Sequence, residues 1–264
     1  MKLRIFTALI GLIVLLIPLI LGGPIFGALV TLMTIAGLIE LLRMNKISIV
    51  SFPAFLGGIV SLLLLYAGPA AGMLSNEVTF AILVMVVWLL LLTMVFSNNR
   101  YHFGAIAFIA FAAIYVGIGF HFFLAARLHN GLEYVFFVLI TVWATDTGAY
   151  VFGRKFGKHK LWSAISPKKT IEGALGGIIL ALVAGTIYAL IWSPFDYLGV
   201  TIALIIMISL AGQCGDLIES AFKRYYNVKD SGRLLPGHGG VLDRFDSLIF
   251  VFPLLYVVTV FFTS

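Results

Sequence analysis

The feature that most constrains this chain is a succession of apolar runs, each about as long as a membrane-crossing helix. A transmembrane helix needs about 20 apolar residues to cover the hydrocarbon core of a bilayer. Of the 264 residues, 62% are hydrophobic and 11% are charged, which is more apolar side chain than a soluble fold of this length can bury. The sequence therefore predicts an all-α, polytopic integral membrane protein. The nine predicted spans lie at residues 3–22, 24–42, 49–72, 78–97, 103–126, 131–152, 170–193, 197–218 and 241–262.

Positive charge is distributed unevenly between the two sides that these spans define. Sixteen of the 17 Lys and Arg residues fall on the side of the N-terminus, whereas Arg127 falls on the other side with Glu77, Glu133 and Asp196. Because cytoplasmic loops carry the excess of Lys and Arg, we predict a cytoplasmic N-terminus and an external C-terminus in the cell membrane. The same bias accounts for the net charge of +6, so nucleic acid is not predicted as a partner.

Membrane-embedded charge divides the chain near residue 130. Before that point the spans are nearly free of such charge, and Glu40, close to a helix end, is the exception. Ionisable residues inside a membrane are costly and mark functional sites. We therefore interpret residues 1–130 as scaffold and subunit contact, and residues 131–264 as the part that carries an active site facing the cytoplasm.

Two pairs of carboxylates mark the C-terminal part. Asp216 and Glu219 are three residues apart on one predicted helix face, which also carries Lys223. Asp243 and Asp246 repeat this spacing at the start of the last span. An ion pair with Lys223 and a simple helix cap by Asp243 are the structural alternatives. Two acidic faces brought together predict a site for one or two Mg²⁺ ions, completed by substrate phosphates.

A glycine-rich segment, residues 229–240, lies between the two acidic pairs. Glycine permits positive φ and a close approach of the backbone to a ligand, and consecutive N–H groups can bind an anion. An ordinary turn before the last span is the alternative interpretation. The glycines concerned are Gly237, Gly239 and Gly240, and the cationic donors are Lys229, Arg233 and His238.

A third polar patch begins at Asp146, inside an apolar run, and continues past a basic loop. Pro167 predicts a helix start whose first turn presents Lys168 and Lys169. Positive charge there opposes the helix dipole, so the arrangement favours a bound anion, although a lysine pair that only anchors the membrane boundary is the alternative. Small residues that predict close helix packing follow at Gly173, Gly176 and Gly177.

A long motif joins these elements. It reads Ser220-x-Phe222-Lys223-Arg224-x₄-Lys229-Asp230-x-Gly232-x₂-Leu235-Pro236-x-His238-Gly239-Gly240-Val241-x-Asp243-Arg244-Phe245-Asp246 over 27 residues. This motif resembles the signature of the phosphatidate cytidylyltransferase, or CDP-diacylglycerol synthase, family at every fixed position. The Asp146 region and residues 166–170 extend the resemblance over roughly 140–250, whereas the N-terminal half matches only in its hydrophobic character.

The resemblance implies an enzyme that converts phosphatidic acid and CTP to CDP-diacylglycerol and pyrophosphate. It implies Mg²⁺, leaves room for a second cation, and implies a homodimer. The implied metal ligands are Asp216, Glu219 and Asp246. The implied catalytic residues are Asp243, Asp246, Lys223 and Lys168. The implied substrate-binding residues are Asp146, Ser166, Lys169, Ser220, Arg224, Lys229, Asp230, His238, Gly239, Gly240 and Arg244.

Two other functions compete with this one. A membrane nucleotidyl- or phosphotransferase that acts on another lipid phosphate would use the same chemistry. An ion-coupled transporter would place its carboxylates near mid-bilayer and contain an internal repeat. Here the carboxylates cluster at one end of the predicted helices beside a Lys/Arg/Gly loop, which favours the transferase.

Overall fold

The computed structural model describes residues 2–67, 76–192, 195, 197–235 and 237–263. These residues are predominantly α-helical, as predicted. The helices are α1 (Lys2–Leu21), α2 (Gly23–Met44), α3 (Phe52–Leu65), α4 (Asn76–Phe96), α5 (Phe103–Ala125), α6 (Gly131–Phe156), α7 (Ile171–Trp192), α8 (Leu198–Tyr225) and α9 (Leu242–Thr263). A π-helical segment, Ala126–Asn130, lies between α5 and α6, and the strands β1 (Lys160–Trp162) and β2 (Ser166–Thr170) precede α7.

Each helix overlaps one of the predicted spans, because long apolar runs specify helix positions well in a chain of this kind. Within the described residues, five helical stretches are long and apolar enough to cross a membrane: Gly23–Met44, Glu77–Phe96, Phe103–Phe156, Ile171–Trp192 and Leu198–Tyr225. The count of nine spans and the orientation stay predictions. Parts of the predicted spans at 68–72 and 193 lie outside the described residues, as do Asp196 and Pro236.

The chain folds into two compact units. The first consists of Met1–His129 and Val228–Arg244, and the second consists of Asn130–Asn227 and Phe245–Ser264. The segment 228–244, which the sequence division places with the C-terminal part, therefore packs with the N-terminal helices. The functional division at residue 130 stays a prediction.

Close contacts of small residues hold the first unit together. A Cβ at Gly57 of α3 would lie 2.6 Å from Cγ2 of Ile109, and a Cβ at Gly117 of α5 would lie 2.9 Å from the Ser61 carbonyl oxygen. Only glycine permits α3 and α5 to approach so closely.

The second unit is built on an antiparallel contact between α6 and α7. A Cβ at Gly148 would lie 2.6 Å from the carbonyl oxygen of Gly176, and a Cβ at Gly177 would lie 2.8 Å from that of Thr145. The predicted packing role of Gly173, Gly176 and Gly177 is confirmed, because each would bring a Cβ into α6. A hydrogen bond of 2.9 Å from Thr145 Oγ1 to Ser209 Oγ connects α6 to α8.

Replacing Gly148 by alanine is expected to destabilise the second unit. The added methyl group meets backbone of α7 that cannot rotate away, so we expect a loss of about 1–3 kcal/mol in the free energy of unfolding. Gly58→Ala is the matched control, because no heavy atom lies within 4 Å of a Cβ there. Thermal unfolding in detergent would measure both variants, and an equal response of the two would contradict the expected contact.

The helix start predicted at Pro167 is wrong. Residues Ser166–Thr170 form β2, which pairs antiparallel with β1, and α7 begins at Ile171. Thr170 caps the helix instead, since its Oγ1 accepts the N–H of Gly173 at 3.1 Å. The side chain of Glu172 accepts the N–H of His159 at 3.2 Å and fixes the base of the hairpin. Lys168 and Lys169 therefore lie on a strand. The unfavourable interaction predicted between their positive charges and a helix dipole is absent.

Candidate active site

The second unit contains a polar cavity of about 410 Å³ formed by α6, β1, β2, α7 and α8. Its volume is in the range of small-molecule sites, which is about 300–1,000 Å³. The charged and amide side chains that line it are Asp146, Arg154, Lys168, Lys169, Gln213 and Asp216. Small residues such as Gly153, Gly173 and Ala174 complete the wall. Three cations in a space of this size are suited to a phosphate group.

Lys169 and Asp216 form an ion pair in this cavity. Lys169 Nζ lies 2.6 Å from Asp216 Oδ2, and the two side chains are 24% and 34% exposed. The pair joins β2 to α8, and the hydroxyl of Ser220 donates to Asp216 Oδ1 at 3.4 Å. An ion pair that is partly open to water is weak. An incoming phosphate can therefore compete with Asp216 for the lysine.

A second carboxylate is buried one turn further along α8. The side chain of Glu219 is 2% exposed, and its Oε2 lies 3.2 Å from Lys223 Nζ. The carboxyl group of Asp246 on α9 lies within hydrogen-bond reach of Glu219 and close enough to Asp216 for electrostatic interaction. Gly215 permits this arrangement, because a Cβ there would lie 2.6 Å from the carbonyl oxygen of Asp246. The structure thus places Asp246 near both other predicted metal ligands, Asp216 and Glu219.

These three carboxyl groups are the ligands predicted for Mg²⁺, and their chemistry can be compared with what the ion requires. Within the described part of the chain, no group of three or more His, Cys, Asp or Glu side chains could hold a metal ion by itself. Two carboxyl groups in hydrogen-bond reach, such as Glu219 and Asp246, need a proton or a cation between them. Mg²⁺ usually binds one or two carboxylates together with water and substrate phosphates. The donor set therefore fits a magnesium ion completed by a phosphate ligand, and the ion itself stays a prediction.

The hairpin carries the other predicted residues of this unit. Ser166 and Lys168 lie on β2, and Lys168 lines the cavity with Asp146. Arg224, in the last turn of α8, donates from its Nε to the carbonyl oxygen of Ile165 at 3.1 Å. This bond fixes the hairpin to the end of the helix that carries Asp216.

In the first unit, the glycine-rich segment is built around Glu40 of α2, which is 4% exposed. The Glu40 carboxylate accepts the N–H groups of Val241 at 2.8 Å and Leu242 at 2.9 Å, and the hydroxyl of Ser231 at 3.0 Å. Its negative charge lies at the N-terminus of α9, where it is favourable. The sequence interpretation missed this role. The one available signal was a carboxylate in an otherwise apolar helix.

Asp243 completes the same cluster. Its Oδ2 accepts the N–H groups of Ser231 and Gly240, each at 2.8 Å, and the Ser231 hydroxyl lies 2.9 Å away. Ser231 has one hydroxyl proton, so it donates to either Glu40 or Asp243 at a given moment. This bonding fixes the segment that precedes α9, and the catalytic role implied for Asp243 stays a prediction.

Packing inside the protein requires the glycines of this segment, because side chains of the first unit leave no room for a Cβ. A Cβ at Gly232 would lie 2.6 Å from Oε1 of Glu40, and a Cβ at Gly240 would contact the same carboxylate. Gly239 has a φ of +85°, and a Cβ there would contact the carboxylate of Asp243. The predicted approach of a ligand to Gly239 and Gly240 stays a prediction, because packing on Glu40 and Asp243 already requires both glycines.

The predicted site residues are divided between the two units. The second unit contains Asp146, Ser166, Lys168, Lys169, Asp216, Glu219, Ser220, Lys223, Arg224 and Asp246. The first unit contains Lys229, Asp230, His238, Gly239, Gly240, Asp243 and Arg244. There, Nδ1 of His238 forms a hydrogen bond of 2.9 Å with Thr7 Oγ1, and its carbonyl oxygen accepts Arg244 Nε at 3.1 Å.

Apolar helices that carry a lysine-lined cavity and buried carboxylates are typical of a membrane enzyme that handles phosphate groups. The cytidylyltransferase family matches this chain over residues 2–262. The chain therefore belongs to the cytidylyltransferase family, as the motif from Ser220 to Asp246 predicted.

Relatives of known name are similar over nearly the whole chain. The phosphatidate cytidylyltransferase of Staphylococcus haemolyticus (strain JCSC1435) is 43% identical over 261 residues, which cover 98% of this chain and 99% of that protein. The phosphatidate cytidylyltransferase of Bacillus subtilis (strain 168) is 42% identical over 269 residues, which cover 100% of this chain and 99% of that protein. The protein of the same name from Staphylococcus aureus (strain COL) is 44% identical over 265 residues, with 98% and 99% coverage.

Proposed function

We propose that this chain acts as a phosphatidate cytidylyltransferase, which transfers CMP from CTP to phosphatidic acid and releases pyrophosphate. The observation that carries the proposal is the identity of 42–44% to proteins of that name over nearly their full length. Similarity of this extent spans both units of the fold. The lysines and carboxylates of the polar cavity support the same chemistry.

The reaction is a displacement at phosphorus. A phosphate oxygen of phosphatidic acid forms a bond to the α-phosphorus of CTP, and the bond from that phosphorus to the oxygen that bridges it to the β-phosphorus breaks, so that this oxygen leaves with pyrophosphate. The nucleophile is already an anion, so no general base is required. The enzyme mainly positions two polyanions and neutralises their charge, which is the main source of catalysis in phosphoryl transfer.

The residues of the cavity have separate parts in this reaction. Lys168 and Lys169 neutralise a bound phosphate, and Lys169 exchanges its partner Asp216 for that phosphate. Asp216 then becomes available with Glu219 and Asp246 to hold Mg²⁺. When bound, the ion withdraws charge from the transferring phosphoryl group as a Lewis acid.

We propose the membrane arrangement on the same basis. With nine spans and a cytoplasmic N-terminus, the basic segments and the active site both face the cytoplasm. Apolar side chains such as Phe80 and Trp88, which are 69% and 66% exposed, support contact with lipid. A homodimer through residues 1–130 rests on the family resemblance.

The test uses purified protein in mixed micelles with phosphatidic acid, Mg²⁺ and CTP labelled at either the α- or the γ-phosphate. Cytidylyl transfer is expected to carry α-label into the organic phase and to leave γ-label in water as pyrophosphate. Transfer of γ-label to lipid would instead identify a phosphotransferase. Absence of lipid label from folded protein, across several acyl chains, would contradict the proposal. Heat-denatured protein is the control for carry-over of free nucleotide.

A further inference from the structure

The first unit contains a second cavity, of about 520 Å³, where the end of α2 meets the segment after α8. Its polar lining is formed by Arg43, Lys229, Asp230, Ser231, Gly232 and Arg233. Three cations and one carboxylate give the cavity a net positive charge. Lys229, Asp230 and Gly232 belong to the motif that identifies the family, whereas Arg43 comes from the N-terminal half, which the sequence interpretation treated as scaffold.

The three cations of this cavity form no ion pair within the described part of the chain. Across the described residues, the ion pairs join His159 to Glu172, Lys169 to Asp216 and Lys223 to Glu219, and none involves this cavity. All three cationic side chains are exposed. Three cations and one carboxylate around one concave surface leave an excess of positive charge, which attracts an anion from solution.

One wall of the cavity is rigid. Ser231 is 5% exposed, and its N–H and hydroxyl groups are held by the carboxylates of Asp243 and Glu40. Glu40 and Arg43 are three residues apart on α2, so the helix turn that fixes the segment also supplies a cation to the cavity. The backbone of α2 that carries Arg43 is therefore held against the segment that contains Ser231 and Gly232.

We propose that this cavity is a phosphate-binding site and that Arg43 is one of its binding residues. A guanidinium group and two other cations match the charge and geometry of phosphate oxygens. The site rests on the proposed function only in the source of the phosphate, which is either the triphosphate of free CTP or the phosphate of the lipid.

The experiment compares Arg43→Gln with wild type in two measurements. Equilibrium dialysis of labelled pyrophosphate against detergent-solubilised protein measures phosphate binding without any reaction. We expect binding to weaken about tenfold or more on loss of one charged hydrogen-bonding partner, with partial recovery in Arg43→Lys. Lys46→Gln, which removes a nearby exposed charge outside the cavity, is the matched control and is expected to bind as wild type does.

Steady-state kinetics then identify the source of the phosphate. A rise in KM for CTP with little change in kcat assigns the site to the free nucleotide, and a rise in KM for phosphatidic acid assigns it to the lipid. Wild-type pyrophosphate affinity in both Arg43→Gln and Arg233→Gln would overturn the proposal. If Arg43→Gln does not fold, Arg233→Gln alone decides the result. Failure of the proposed function would appear as inactive wild type, whereas the dialysis result would still report on the cavity.

Discussion

Asp246→Asn is expected to abolish lipid labelling while leaving the protein folded. Asparagine keeps the shape of the side chain and can still form a hydrogen bond to Glu219, so the contact of α9 with α8 survives. The variant removes one of the three carboxylates Asp216, Glu219 and Asp246, and with it a charge that a cation would need. Loss of such a preorganised electrostatic group lowers kcat by about 100–1,000-fold.

Stability separates this effect from misfolding. Removing one charge from a cluster of neighbouring carboxylates relieves repulsion, so the thermal midpoint of Asp246→Asn should equal or exceed that of wild type. Glu133→Gln is the matched control, since it makes the same chemical change at an exposed position in the first turn of α6. Retention of more than about a third of wild-type kcat in Asp246→Asn, far above the loss argued for an electrostatic group, would remove Asp246 from the reaction.

Glu40→Ala is expected to release the glycine-rich segment. The N–H groups of Val241 and Leu242 and the hydroxyl of Ser231 would lose their shared acceptor. A buried donor without a partner costs about 1–3 kcal/mol, so we expect a loss of about 3 kcal/mol or more in the free energy of unfolding. Transfer activity should fall at least about tenfold, because small displacements of substrate-positioning groups have large effects. Chemical unfolding and the labelling assay measure the two effects.

A double-mutant cycle tests the contact itself. In wild type, the three heavy atoms nearest to the methyl group of Gly232→Ala would all belong to the Glu40 side chain, and overpacking of this kind costs about 1–3 kcal/mol. In the Glu40→Ala background this cost should vanish, which gives a large coupling energy. Gly240→Ala is the matched control, because its methyl group would also contact Ser231 Oγ and should remain costly. Additive effects of Gly232→Ala and Glu40→Ala would contradict the described packing.

Helix positions and family membership could be predicted from the sequence because both depend on local information. An apolar run of about 20 residues has few alternatives to a helix, and the motif from Ser220 to Asp246 is continuous in the chain. The meeting of Asp216, Glu219 and Asp246 could also be anticipated, since each acidic pair lies on one helix face. The number of spans, the orientation and the metal stay predictions.

The β-hairpin and the contacts of Glu40 could not be predicted in the same way. The segment 160–170 is short and charged, and Pro167 interrupts it. Its hydropathy therefore does not distinguish a pair of strands from the start of a helix. The cap at Thr170 was a local signal in favour of the later start that the structure has. Glu40 contacts residues far along the chain, and no local pattern records such a contact. The sequence reveals the glycines of the segment 229–240, but it does not reveal that they pack on Glu40.

The distance along the chain between Glu40 and its partners has a consequence for biosynthesis. Ser231, Val241 and Leu242 follow Glu40 by 191, 201 and 202 residues. At about 5–20 residues per second, the ribosome needs on the order of 10–40 seconds to synthesise that length. During this interval the carboxylate of Glu40 lacks the donors that satisfy it in the folded unit. Maturation of the N-terminal helices is therefore completed only when the last helix begins to emerge.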